Sequence, residues 1–350
     1  MIMVLLVTRS TSLGFLLVFT LAGATSAPAQ TTIYGGRGLM RVFTAEPLGG
    51  KQIFLNSYFQ TFLESPKERN SLGKDHTLSL GITLGLTNSL EFSLHVVPYQ
   101  DDQRHAWGPP GDTQVGMKLA LPFAFAGLST GLRGFVSLPT AKNHNVQFEP
   151  YSSGNVGGGL QGLLTIDMTE NFPLVPLKAY LNFGYYDHTL DRDFFVDDED
   201  QYLLGAGLKF PIRSITFYTE YTGEIFAHNK LLRYAENSTR ISQGMKVLGP
   251  WNLIMDLAVD VGLDQPAALR SDPVFQKDYA DWKVILGINY QMAFNREGGA
   301  SPALSSKRSS RRADPELERV RLKRENARED LEDMEKSLQE SNDSEKKEKP

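Results

Sequence analysis

Ser93 and His95 stand two residues apart, the spacing at which an extended chain turns a hydroxyl and an imidazole to the same side. Such a pair is the start of a serine nucleophile with a histidine base, but the chemistry needs a third group to orient the imidazole, and none is identifiable. Of the six histidines, the other five (His76, His105, His144, His188 and His228) sit in or beside expected loops. The acidic stretch Asp191, Asp193 and Asp197 to Asp200 offers oxygen ligands for a divalent cation. It lacks the ordered spacing and turn glycine of an EF-hand, so it reads as a solvated loop. With no cysteine in the chain, disulfides, thiolate metal sites and cysteine nucleophiles are excluded. The expectation is therefore a protein that is not an enzyme, with no catalytic residue, metal site or cofactor.

A larger set of reactive groups has a different order. Glu91, Asp112, Lys118, Arg133, Lys178, Lys209, Glu220, Arg240, Lys246, Asp256 and Lys283, joined by Asp167, Glu224 and Asp260, fall among small and polar residues that alternate with Leu, Val, Ile and Phe. Seven are acidic and seven basic, a balance that favours cross-strand pairing over a strongly ion-selective field. Three of the lysines recur in a short echo, Gly116-Met117-Lys118, Gly207-Leu208-Lys209 and Gly244-Met245-Lys246. That band either biases a passage toward anions or pairs with Glu91 and Asp256, and pairing is the stronger expectation.

Strands must position these charges. From Thr77, the residues Leu78, Leu80, Ile82, Leu84 and Leu86 face one way and Thr77, Ser79, Gly81, Thr83 and Gly85 the other, a period of two sustained for ten residues. The same pattern recurs in twelve segments: 52–62, 77–86, 90–96, 112–122, 128–139, 154–168, 176–187, 202–210, 215–224, 239–247, 251–262 and 282–294. Between them long and short connections alternate without exception. A soluble sandwich would have to bury the charged face, whereas a wet barrel interior accommodates it. Twelve strands of about 10 residues with alternating loop lengths indicate an all-β, up-and-down antiparallel transmembrane β-barrel. The apolar set would meet lipid, with Tyr99, Phe123, Tyr185, Phe210, Trp251, Trp282 and Tyr290 near strand ends as an interfacial girdle. The charged set would line the lumen.

The ends of the chain have other compositions. Residues 1–29 read as a signal peptide: Arg9, an apolar run from Gly14 to Ala22, then Ala27-Pro28-Ala29 before Gln30. Residues 30–50 read as a periplasmic or lumen-inserted leader whose Gly35-Gly36 and Gly49-Gly50 pairs permit sharp turns, although 39–44 could also form a thirteenth strand. After the barrel, 51–294, come a linker, 295–314, and a charged helical tail, 315–350. The tail carries Leu317, Val320, Ala327, Leu331, Met334 and Leu338 at heptad positions, with Arg324 in the one polar gap. It suits self-association, and the basic run from Lys307 to Arg312 suits cell-wall or anionic-lipid contact. A net charge of -5 without a strong basic cluster argues against nucleic acid.

Two short motifs carry a resemblance. Gly111-Asp112-Thr113-Gln114-Val115-Gly116-Met117-Lys118 and Leu138-Pro139-Thr140 resemble the G-D-x-x-x-G-x-K and L-P-T signatures of outer-membrane barrels of the phenol-degradation meta-pathway type. The resemblance covers about residues 50–294 in architecture, and it implies an outer-membrane location and a channel for small, often hydrophobic molecules. The charged tail departs from that pattern. The last strand, with Gly287, Tyr290 and Met292, resembles the signal read by barrel-assembly machinery, with Ile285 standing where a polar residue is expected. The combined expectation is a bacterial outer-membrane channel or porin for passive passage of small solutes, both termini periplasmic, with outer-membrane lipid and the assembly machinery as partners. The competing expectation is a structural or assembly protein whose barrel is plugged and whose tail is its working part.

Overall fold

The computed structural model describes residues 30–64, 73–101, 108–125, 127–144, 146, 148–169, 176–191, 197–212, 214–229, 232–263 and 280–293. The expected signal peptide, linker and helical tail lie outside these described residues. Twelve strands follow in order: β1 (Gln52–Glu64), β2 (Gly73–Gly85), β3 (Leu90–Gln100), β4 (Thr113–Phe125), β5 (Leu128–Leu138), β6 (Gly157–Asp167), β7 (Lys178–Asp187), β8 (Gln201–Ile212), β9 (Ile215–Phe226), β10 (Ser238–Leu248), β11 (Leu253–Gly262) and β12 (Trp282–Ala293). Each pairs antiparallel with its neighbour in sequence, and β12 returns to β1 with Gln52 opposite Ala293 and Thr61 opposite Val284. The sheet thus closes into the twelve-stranded up-and-down barrel that the alternation indicates, with no free edge.

The period of two decides which side each residue takes. In β2, Thr77, Ser79 and Thr83 are buried inside while Leu80 and Ile82 point outward, and Leu160, Phe183, Leu286 and Ile288 are likewise exposed on the outer wall. An apolar belt around the whole circumference is a surface that hydrocarbon stabilises and water does not. Phe210, Trp251, Trp282 and Tyr290 are exposed at or near strand ends, the level at which amphipathic rings meet an interface. The β4–β5 ladder is interrupted between Ala120 and Ala124, where Pro122 has no N–H to donate.

Antiparallel order puts the strand ends that flank 86–89, 126–127, 168–177, 213–214 and 249–252 on one rim of the barrel, and those that flank the other six connections, which are longer on average, on the opposite rim, the long-loop end.

Residues 30–50 do not add a thirteenth strand. They fold inside the barrel as two tight reversals, marked by isolated bridges Thr31 to Arg37 and Gly38 to Phe43 and by the Ile33 N–H donating to the Met40 carbonyl at 2.8 Å. The first reversal needs φ of +74° at Gly35 and +79° at Gly36, which an L side chain rarely adopts. At Gly38 the limit is space, since a Cβ there would lie 2.3 Å from the Val42 carbonyl oxygen.

A second segment also turns inward. The connection 139–156 between β5 and β6 buries Val146, Glu149 and Tyr151 at the long-loop end. The two motif fragments meet at its base. Thr140 Oγ1 donates to the Gly111 carbonyl at 3.0 Å, and the Asp112 carboxylate accepts from the Ala141 N–H at 3.0 Å and from Ser152 Oγ at 2.6 Å. Asp112 therefore acts as a tether for this loop.

Candidate functional site: the occupied lumen

The interior expected to be wet is largely filled. Ile33, Leu39, Met40 and Val42 of the inserted segment form a buried cluster with Tyr58, Tyr180, Tyr218, Ala258 and Ile285 from the inner wall. Met40, Val42 and Ile285 have no exposed surface. This is a hydrophobic core of the kind a soluble domain has, built inside a barrel whose outer face is also apolar. The segment is here called the plug.

Strand residues hold the plug chiefly by its backbone. The Glu220 carboxylate accepts the N–H groups of Met40, Arg41 and Val42 at 3.1, 2.9 and 3.2 Å. Asn182 accepts the Phe43 N–H at 2.7 Å and donates to the Phe43 carbonyl at 2.9 Å, replacing the ladder partner that a strand would have supplied. Thr165 Oγ1 accepts the Ala45 N–H at 2.9 Å, and Thr31 Oγ1 donates to Asn289 Oδ1 at 2.7 Å. Irregular backbone buried away from water needs partners of this kind, because each unsatisfied group costs about 1–3 kcal/mol.

Most of the charges are spent in the same way. Lys246 Nζ pairs with Asp256 at 2.8 Å, both side chains fully buried, and also donates to the Thr31 and Leu39 carbonyls at 3.0 Å each. Asp256 in turn accepts from the hydroxyls of Tyr218 at 2.8 Å and Tyr58 at 3.3 Å. Lys118 pairs with Glu91 at 2.9 Å and donates to the Thr44 and Glu46 carbonyls. Lys178 pairs with Asp167 at 2.6 Å and with Glu46 at 2.5 Å, and Lys283 with Asp75 at 2.7 Å and Glu149 at 3.1 Å. Two of the three echoed lysines thus pair across strands with Glu91 and Asp256. The third, Lys209, is half-buried opposite Lys178 and has no carboxylate in salt-bridge range among the described residues. Arg240 is half-buried and donates to Ser238 Oγ.

The plug brings charges of its own that alternation could not reveal. Arg41 pairs with Asp260 at 2.6 Å and Arg37 with Glu46 at 2.9 Å. Neutral anchors such as Asn182, Thr165 and Asn289 also escape a search for charges. One signal was available: Tyr58, Tyr218 and Ile285 are bulky residues at inward positions, which a wet lumen gives no reason to carry.

Ser93 and His95 do share the inner face, and both are buried. No hydrogen bond joins them, and the His95 ring packs edge-on against Tyr34 of the plug at 5.4 Å. Among the described residues no group of His, Asp and Glu has the geometry of a metal site.

Above the plug, toward the long loops, lies a cavity of about 210 Å³. Ile33, Tyr34, Arg41 and Phe43 contribute its floor, and the inward loop contributes Val146, Phe148, Glu149 and Tyr151. The loop is braced across the barrel: Glu149 contacts Thr77 as well as Lys283, and Tyr151 packs edge-on against His188 at 5.0 Å and Phe226 at 5.2 Å.

No family model matches the chain, and no curated protein matches it. Solved structures do. An outer-membrane channel from Pseudomonas putida F1 aligns with a TM-score of 0.49 at 10% identity, over 71% of this chain and 98% of its own. The KdgM porin aligns with a TM-score of 0.44 at 11% identity, over 67% and 98%. The CymD monoaromatic hydrocarbon channel aligns with a TM-score of 0.37 at 8% identity, over 71% and 90%. These are identities far below those at which residues can be matched.

Proposed function

We propose that the chain is an outer-membrane channel for small solutes, closed at rest by residues 30–50 and opened by their displacement. The observation that carries this reading is a lipid-compatible barrel whose interior is occupied by a separate segment, joined to the wall through non-covalent contacts and through Gly49-Gly50 at the foot of β1. A lumen filled by side chains of the wall itself would have no removable part. In this reading residues 1–29 direct export, the short turns and both termini are periplasmic, and the assembly machinery inserts the barrel from that side. The resemblance of the Gly111 to Lys118 and Leu138-Pro139-Thr140 motifs to barrels of the phenol-degradation meta-pathway type supports the channel reading, and in this chain Asp112 and Thr140 hold the inward loop while Lys118 holds the plug.

Deletion of residues 31–47 tests the proposal in planar bilayers. The full chain should conduct rarely and the deleted chain steadily, with a heat-modifiable shift on gels showing that the barrel still folds. A folded, deleted barrel that does not conduct would leave the other reading, a sealed structural protein. The fully buried apolar core between plug and wall is the observation that favours that alternative.

A further inference from the structure

Like Lys209, Arg133 has no carboxylate in salt-bridge range among the described residues, but unlike Lys209 it is buried. Its side chain lines the cavity above the plug and is only 3% exposed, yet its Nη1 donates to Gln161 Oε1 at 2.9 Å and its Nη2 to Gln114 Oε1 at 2.6 Å. Both partners are neutral amides, and no carboxylate among the described residues lies within salt-bridge distance. The rings of Phe43 and Phe135 stand 4.1 and 4.5 Å from the guanidinium carbon. Ring faces compensate a cation only in part, about 0.5–2 kcal/mol, whereas an uncompensated buried charge is far more costly. Two of the five guanidinium N–H groups are accounted for by the amides.

A second observation points the same way. His95 Nε2, Gln201 Nε2 and Thr222 Oγ1 line the same cavity, are buried, and have no hydrogen-bond partner among the described residues. Each can donate. The acids nearest the loop are already engaged, Glu149 by Lys283 and Thr77, and Asp112 by Ala141 and Ser152. Glu224 and Arg240 add one charge of each sign to the lining. The remaining wall is largely apolar and aromatic, including Tyr34, Phe135, Tyr186 and Leu203.

We propose that this cavity binds a small organic carboxylate with a compact apolar or aromatic body, its anion held by Arg133 between Phe43 and Phe135. A cation with free donors selects a planar bidentate anion, and the surrounding rings select an apolar remainder. At about 210 Å³ the space lies below the usual range for drug-sized ligands, about 300–1,000 Å³, which favours a single ring over an oligomer. Because Phe43 and Tyr34 belong to the plug, the bound anion would touch the movable part and the wall together. The inference deepens the channel reading by naming its substrate class, and rests on that reading for the route by which a solute reaches the cavity.

The test is calorimetric titration of the full chain in detergent micelles with benzoate and with its neutral isostere benzamide. Saturable benzoate binding is expected, with benzamide at least about tenfold weaker, the scale of one charge-assisted contact. Arg133→Gln should lower benzoate affinity at least about tenfold and leave benzamide unchanged. Gln161→Glu keeps Arg133 but supplies an internal carboxylate at the position of its present partner, and should produce the same loss if Arg133→Gln fails to fold. Equal binding of the two probes, or benzoate binding indifferent to both variants, overturns the proposal. Benzoate flux into proteoliposomes, measured on the same proteins, separates the two readings. Selective binding without flux retains the site and removes the channel; flux without selective binding retains the channel and removes the site.

Discussion

At the scale of the residue, the lumen is governed by the cost of burying polar groups. Lys246 and Asp256, with no exposed side-chain surface, gain little net stability from their attraction, because desolvation offsets it. What such a pair does is penalise every other arrangement, since leaving one partner alone costs about 3–5 kcal/mol. The plug therefore has one seat, set by where Lys246 meets the Thr31 and Leu39 carbonyls. Glu220 is the residue whose loss should release the plug with least harm to the barrel, because three plug N–H groups converge on its one carboxylate. Glu220→Gln removes the charge and at least one acceptor, a loss of about 1.5–3 kcal/mol. Single-channel recording should show the open fraction rise by about ten- to a hundredfold. An unchanged open fraction would mean that the motion opening the pore leaves these contacts intact.

At the scale of the element, the plug is held in shape by its own turns as much as by the wall. A methyl group at Gly38 meets both the Val42 carbonyl and the Thr32 side chain, at 2.3 and 2.5 Å, so Gly38→Ala cannot keep the second reversal. None of the wall strands depends on that reversal for its ladder. The absence of native cysteine makes a clean reporter available. A thiol introduced by Met40→Cys, at a position with no exposed surface, should resist a water-soluble maleimide in the otherwise unchanged chain and react rapidly once Gly38→Ala is added. Equal, fast labelling of both would show that the plug already spends much of its time outside.

At the scale of the whole molecule, closure needs only the wall. β12 pairs with β11 on one side and with β1 on the other, up to Ala293 opposite Gln52. Truncation after Phe294 should therefore leave a membrane-inserted, heat-modifiable barrel, because the ladders that β12 makes with β11 and β1 already close the wall by Ala293. Loss of the truncated protein from outer-membrane fractions would make the tail part of folding and would favour the structural reading.

The strand count, the order of the strands and the direction of each side chain were legible in the sequence because a period of two is local. Each residue's side follows from its neighbour's, and in a lipid-facing wall one of the two sides must be apolar throughout. The pairing of Lys118 with Glu91 and Lys246 with Asp256 was legible as a preference, since register follows from turn length once neighbouring strands are known. The departure of Ile285 from the polar residue expected near the end of the last strand was visible too, but not its reason, which is its burial in the core that Leu39 and Met40 complete. Only the tertiary structure decided that residues 30–50 occupy the lumen and that 139–156 fold over it. The contacts that settle those questions, such as Thr31 with Asn289 across 258 residues of sequence, obey no period. The same inward polar face can be satisfied by water, by paired charges or by another segment of the chain. Alternation specifies that face, while its partner is chosen by the three-dimensional competition to satisfy every buried group.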